Sequence, residues 1–189
     1  MDGTYNIDEI VAELKKGSTI LYPTDTIWGI GCDASNAKAV EKIYKIKVRD
    51  KSKSLIILID SIESLKDYVE EVPEVAIDLM KSYREPLTII FPTSRNLARN
   101  VVAEDGSIAI RIPHDDFCQE LLRAFGKPIT STSANISGDP SPAAYSKISS
   151  RVKDMVDYVV HYKLQSFSMG KASSIIRLLP DGDLQIIRG

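Results

Sequence analysis

Ile7, Ile10, Val11 and Leu14 recur at helical spacing behind an Asn6-x-x-Glu9 capping-box pattern, and Gly17 follows where such a helix ends. A short β-prone run, Ser18 to Tyr22, is stopped by Pro23. From Asn36 to Ile46 the period returns to helical, with Ala39, Val40, Ile43 and Tyr44 on one face. Ser54 to Ile59 is almost continuously apolar, the mark of a strand buried on both faces. Ser61 is placed to cap a helix carrying Leu65, Tyr68 and Val69, and a further helix is predicted from Val75 to Tyr83. Pro86 to Phe91 and Ser107 to Ile112 read as strands. Asp116-x-x-Gln119 then opens a helix with Phe117, Leu121, Leu122 and Phe125 inward and Gly126 closing it. A short strand is predicted at Pro128 to Thr130, a helix near Ala143 to Ser149, and strands at Asp157 to Val160, Ser173 to Leu178 and Leu184 to Ile187. The last two flank Pro180-Asp181-Gly182-Asp183, a hairpin signal. Helices and strands alternate while some neighbours pair antiparallel, so the predicted class is α/β with a mixed, twisted sheet. The pattern does not give strand order.

The chain has 189 residues, no repeat and no linker-like tract, which predicts one domain over residues 1–189. No apolar run approaches the ~20 residues that span a bilayer, and the first residues lack the basic-then-apolar order of a signal peptide. A cytoplasmic protein is expected. With 24 basic and 26 acidic side chains the net charge is -2, so any polyanion must be met by a local basic patch. Two cysteines make no disulfide framework and two histidines make no His-rich metal site, so no structural metal is expected.

Three stretches do not look like packing material. Tyr22 to Gly31 follows a strand and combines hydroxyls, the Asp25 carboxylate, Trp28 and two glycines, the composition of a ligand loop beyond a strand end. The same residues also read as a turn with Trp28 packed on its flank. Lys45, Lys47, Arg49, Lys51 and Lys53 place a cation at every second position. On an extended chain from Lys47 onward these would share one face and suit phosphate oxygens; on a solvated helix end they would simply point into water. Pro128 to Gly138 is dense in hydroxyls and amides, which can cradle a polyphosphate or can cap one another in a turn. No phosphate-loop motif and no G-x-S-x-G elbow occur. Cys32 and Cys118 read as small buried hydrophobes, and His114 as a structural histidine.

In this order the stretches resemble the YrdC-type threonylcarbamoyl-adenylate synthase family. The match runs from Leu21-Tyr-Pro-Thr-Asp-Thr-Ile-Trp-Gly-Ile-Gly31 to Ile187-Arg-Gly189, through a K-x-R element at Lys47 and Arg49 and an S-x-N element at Ser133 and Asn135. Ile108 to His114 and Ala172 to Ile176 also fit. The resemblance implies a twisted mixed sheet flanked by helices around a concave basic cavity, in the short, single-domain form. It implies condensation of L-threonine, bicarbonate or carbon dioxide, and ATP into threonylcarbamoyl-AMP and pyrophosphate, with Mg²⁺ on the phosphates. The product would feed a tRNA threonylcarbamoyl transferase complex.

By the same resemblance Lys47, Arg49, Ser133 and Asn135 form the catalytic set. They would contact ATP together with Lys53, Ser107, Ser141 and Arg188, while Thr26, Arg111, Ser131 and Ser173 would hold threonine. The chain departs from the family pattern at Trp28, where Tyr or Phe is usual, and at Ser54, where Pro is usual. Leu58 stands where many long-form members carry a threonine-contacting His, and Ala172-Ser-Ser174 stands for Glu-Ser-Thr. A competing reading is an RNA-binding module of the same fold, using the basic run on double-stranded RNA or tRNA. A paralogue without synthase activity is a third.

Overall fold

A computed structural model describes residues 5–50, 53–161, 172–179 and 182–189. The elements are α1 (Ile7–Lys16), β1 (Ile20–Tyr22), β2 (Gly29–Gly31), α2 (Ala37–Lys47), β3 (Ile56–Leu58), α3 (Leu65–Tyr68), α4 (Glu74–Ser82), β4 (Leu87–Phe91) and β5 (Ile108–Arg111). Then follow α5 (Asp116–Phe125), β6 (Ile129–Ser133), a 3₁₀ turn at Tyr145–Lys147, α6 (Ser150–Met155), β7 (Tyr158–Val159), β8 (Ser174–Leu178) and β9 (Leu184–Arg188). The strands form one sheet in the order β7-β1-β2-β6-β3-β5-β4-β8-β9. Pairing is parallel for β1–β7, β3–β5 and β4–β8 and antiparallel elsewhere, the mixed sheet that the sequence predicts.

Strand alternation divides the sheet's two faces. Leu21, Ile30, Ile57, Ile89, Phe91, Ile108, Ile110, Ile176 and Leu178 belong to one core with the apolar sides of α2, α3, α4 and α6. Ile20, Tyr22, Leu58 and Ile129 belong to a second core with α1 and α5. That second pair of helices covers only part of its face. Further along the same face the residues are Gly29, Ser131, Ser133, Ile56, Ala109, Arg111, Ile90 and Ile175, and there the sheet is the floor of an open cavity.

Several expectations are corrected. Gly29-Ile30-Gly31 is a strand, not part of a turn, and β6 runs through the hydroxyls to Ser133 instead of stopping at Thr130. The expected helix at Ala143 to Ser149 is a 3₁₀ turn, and the true helix begins at Ser150 with the Ser149 side chain as its cap. Asp115, one residue earlier than expected, caps α5 by accepting the Cys118 N–H. Ser61 does not cap α3; its hydroxyl meets that of Ser64. Trp28 is buried in the first core against Tyr145. Lys51, Pro180 and Asp181 lie outside the described residues.

Candidate functional site

The cavity over the uncovered half of the sheet has a volume of about 320 Å³. Its floor is small or apolar: Gly29, Ala109, Ile56, Ile90 and Ile175. Its walls carry the hydroxyls of Thr24, Thr26, Ser54, Ser131, Ser133, Ser141 and Ser173 and the guanidiniums of Arg49, Arg111 and Arg188. Among the described residues no carboxylate and no aromatic ring lines it. In a chain of net charge -2, three guanidiniums thus line one concave place.

Arg111 ends β5 and is 4% exposed. Its Nη2 ion-pairs with Asp25, and its Nη1 donates to Thr26 Oγ1 at 2.9 Å. Its Nε is buried and has no hydrogen-bond partner among the described residues. Burial pushes its titration below the ordinary arginine range, with Cys118, Tyr22 and Asp115 pulling the other way. The guanidinium remains charged, and the Asp25 pair is what makes its burial tolerable. Asp25 is itself fixed from behind. Its other oxygen accepts the His114 N–H at 3.1 Å, and its own N–H donates to Asp115 at 3.1 Å, the carboxylate that caps α5. A chain of charge-assisted bonds thus runs from a helix start to the cavity wall. Thr26 is held in the same cluster by Thr24 Oγ1 at 2.9 Å, which also donates to Ile27 O at 2.7 Å.

At the sheet's other end Ser173 is buried, with its hydroxyl 2.8 Å from that of Thr88 on β4. Arg188 on β9 donates to the Ser173 carbonyl through Nε at 2.9 Å and Nη2 at 2.6 Å. Arg49 reaches the cavity from the α2–β3 connection, where its Nε donates to Lys53 O at 3.2 Å and its Nη2 to Ser54 O at 3.0 Å. Between Lys47 and Arg49, Val48 ends α2 in the left-handed region at φ 49°, so the two cations do not share a face. Lys47 is 1% exposed and buried beneath the β6 end. Burial and the neighbouring Arg49 press its ammonium down to about 8. Hydrogen bonds from Nζ to Ser133 O at 2.6 Å and Asn135 O at 2.8 Å act in the opposite sense by favouring the charged form.

The structure brings Arg49, Ser133, Ser141 and Arg188 together with Thr26, Arg111, Ser131 and Ser173 in one cavity. It does not bring four others into the wall. Lys47 and Asn135 lie behind it, bonded to each other at 3.2 Å. The exposed Lys53 contributes to the site by its carbonyl. Ser107 is buried elsewhere with its hydroxyl on Asp105 at 2.6 Å. Leu58 is also absent from the cavity: it packs in the second core, so the departure there does not touch the wall, whereas Ala172 does line it. The residue that the sequence reading left without a role is Asp25. Its signal is a lone carboxylate amid hydroxyls in the loop between β1 and β2.

Among the described residues no group of three or more His, Cys, Asp or Glu could hold a metal ion, and no helix is long and apolar enough to cross a membrane. A family model described as telomere recombination, Sua5/YciO/YrdC, matches residues 12–189. A threonylcarbamoyl-AMP synthase of Vibrio parahaemolyticus is 37% identical over 138 residues, covering 71% of this chain and 75% of the relative. The crystal structure of P. abyssi Sua5 complexed with L-threonine superposes with a TM-score of 0.83 at 29% identity, over 91% of this chain and 50% of that one. The chain thus spans about half the length of that neighbour. The crystal structure of E. coli YciO gives a TM-score of 0.84 at 26% identity, over 96% of this chain and 87% of that one.

Proposed function

This chain belongs to the Sua5/YciO/YrdC family, and from that premise we propose that it is a threonylcarbamoyl-AMP synthase, an enzyme of the nucleotidyltransferase class. It would join L-threonine, bicarbonate or carbon dioxide, and ATP, releasing pyrophosphate. The observation that carries the reading is the single cavity in which Arg49, Arg111 and Arg188 meet a dense set of hydroxyls, with no carboxylate lining it among the described residues. Such a wall suits two anions, a carboxylate and a polyphosphate, held side by side.

The chemistry asks for alignment and screening more than for an acid–base pair. The neutral threonine amine adds to carbon dioxide and loses a proton to solvent, giving a carbamate; starting from bicarbonate, that proton instead leaves with the bicarbonate hydroxyl as one water. A carbamate oxygen then attacks the α-phosphorus of ATP, and the bond to pyrophosphate breaks. Arg111, Thr26, Ser131 and Ser173, which line the same cavity, are proposed to hold threonine, with the Arg111 guanidinium as the partner of its carboxylate. Arg49, Ser133, Ser141 and Arg188 are proposed to face the phosphates and take up the charge that moves onto pyrophosphate. Among the described residues the wall carries hydroxyls and no carboxylate, and Mg²⁺ is proposed to arrive on the ATP phosphates. The reactive mixed anhydride would pass to a tRNA threonylcarbamoyl transferase in the cytoplasm.

The RNA-binding reading is less well supported, because the curated relatives are synthases. Pyrophosphate release with threonine, bicarbonate and ATP, each omitted in turn, tests the proposal. Release that requires all three is expected, and release indifferent to threonine would overturn it.

Removing Arg188 and Gly189 probes the nucleotide side. The ligand-free protein is expected to lose about 1 kcal/mol, because the Ser173 carbonyl loses its two donors. ATP binding is expected to weaken by about 1.5–3 kcal/mol through loss of one charge-assisted contact. Equal ATP-induced thermal stabilisation of full-length and truncated protein would take Arg188 out of the site.

A further inference from the structure

We infer that Lys47 is a positioning residue that shapes the phosphate side of the cavity from behind, through Ser133 and Asn135, and does not itself contact the nucleotide. The inference rests on the synthase reading for what the cavity binds, but its geometry stands apart from it.

An ammonium carries three N–H donors. Those of Lys47 find Ser133 O at 2.6 Å, Asn135 O at 2.8 Å and Asn135 Oδ1 at 3.2 Å, with Ser133 Oγ a longer neighbour at 3.5 Å. No donor is left over for a phosphate. The residue is 1% exposed and absent from the cavity lining, so a ligand cannot reach the charge without breaking the cluster. The connection is also made in the other direction. The Ser137 N–H donates to the Lys47 carbonyl at 2.8 Å, tying the end of α2 to the loop after β6. Asn135, for its part, has its side chain used at both ends, since Nδ2 donates to Asp139 O at 2.6 Å.

Taken together, these bonds fold the Ser133–Asp139 segment around a buried cation. Ser133 is left as the member of the cluster that lines the cavity, on the same strand face as Ser131. Arg49, two residues beyond Lys47 but turned the other way by Val48, supplies the cation that does line it. A Lys–x–Arg pair thus divides its work. One cation builds the wall and the other faces the ligand.

The first test is amine labelling of the unmodified protein by brief exposure to acetic anhydride, without and with MgATP. Lys47 is expected to stay unlabelled in both conditions while the exposed Lys45 and Lys53 react. The exposed Lys45 and Lys53 serve as internal references for the reagent in the same sample. Labelling of Lys47 in the empty protein that MgATP suppresses would overturn the inference, because that is the behaviour of a phosphate ligand. Should ATP prove not to bind at all, protection in the empty protein would still hold the inference while the synthase reading fell.

The second test is hydrogen exchange on ligand-free Lys47→Met. Amides of residues 134–139 are expected to exchange about tenfold faster than in the wild type, with the loss of activity shared between kcat and the KM for ATP. Unchanged exchange together with a defect confined to the KM for ATP would overturn it.

Discussion

Arg111→Ala is expected to remove threonine-dependent pyrophosphate release at any practical threonine concentration and to lower the melting temperature sharply. Both effects come from the Asp25 pair. Asp25 is only 13% exposed in its side chain, and without the guanidinium it is left as a buried carboxylate facing a void. Breaking one partner out of such a pair costs about 3–5 kcal/mol. The His114 and Asp115 contacts that Asp25 organises would loosen with it. Arg111→Lys separates charge from shape. A lysine keeps a cation beside Asp25, so most of the stability is expected to return. Its single ammonium cannot serve Asp25, Thr26 Oγ1 and a substrate carboxylate in one plane, as the guanidinium can. The lysine variant should therefore fold close to normally yet need roughly a hundredfold more threonine, about 2.7 kcal/mol of binding. Titrating threonine against pyrophosphate release at saturating ATP measures this. A lysine variant that saturates like the wild type would mean that Arg111 serves another partner.

The places where sequence reading succeeded and failed have physical reasons. The ends of α1 and α5 were legible because Gly17 and Gly126 sit at φ 82° and 70°, where a residue with a Cβ is strained. β2 was hidden because Gly-Ile-Gly has the composition of a turn; Gly31 answers to crowding by Tyr22 and β6, which no local pattern records. The hydroxyls of β6 looked like a loop because a strand normally hides such groups. The structure shows why it need not: the Ser131–Ser133 face meets the cavity and not a helix. The alternate cations misled for a related reason. Period-two spacing converges only on extended chain, whereas Lys47 ends a helix and Val48 reverses the direction. Likeness alone puts Ser107 on the phosphates; in the structure its N–H and hydroxyl both donate to Asp105 Oδ1.

Gly31→Ala is expected to be the most damaging single-atom change to the fold. A Cβ at Gly31 would stand 2.3 Å from Thr130 O, 2.8 Å from Tyr22 Cε1 and 3.0 Å from Ile129 Cγ2. None of these can step aside cheaply. The Thr130 carbonyl is main chain in β6 and accepts the Tyr22 hydroxyl at 3.1 Å, while the Thr130 N–H is bonded to Cys32 O at 2.9 Å. The Tyr22 ring is buried in the second core and cannot swing out. Relief therefore requires β2 and β6 to part. We expect a loss of at least about 3 kcal/mol, at the upper end of overpacking costs. For a domain whose whole stability is of order 5–15 kcal/mol, that takes a large share of the molecules out of the folded state at physiological temperature. Gly29 supplies the internal control. It lies on the same strand and face, but a Cβ there meets Ser131 Oγ and Thr132 O at 3.5 Å and Tyr22 Cε1 at 3.6 Å, ordinary contact distances. Gly29→Ala should melt within a few degrees of the wild type while its methyl group narrows the cavity floor. Thermal unfolding of the two variants side by side decides the matter. Similar melting of both would show that the β2–β6 pair yields where the packing says it is rigid.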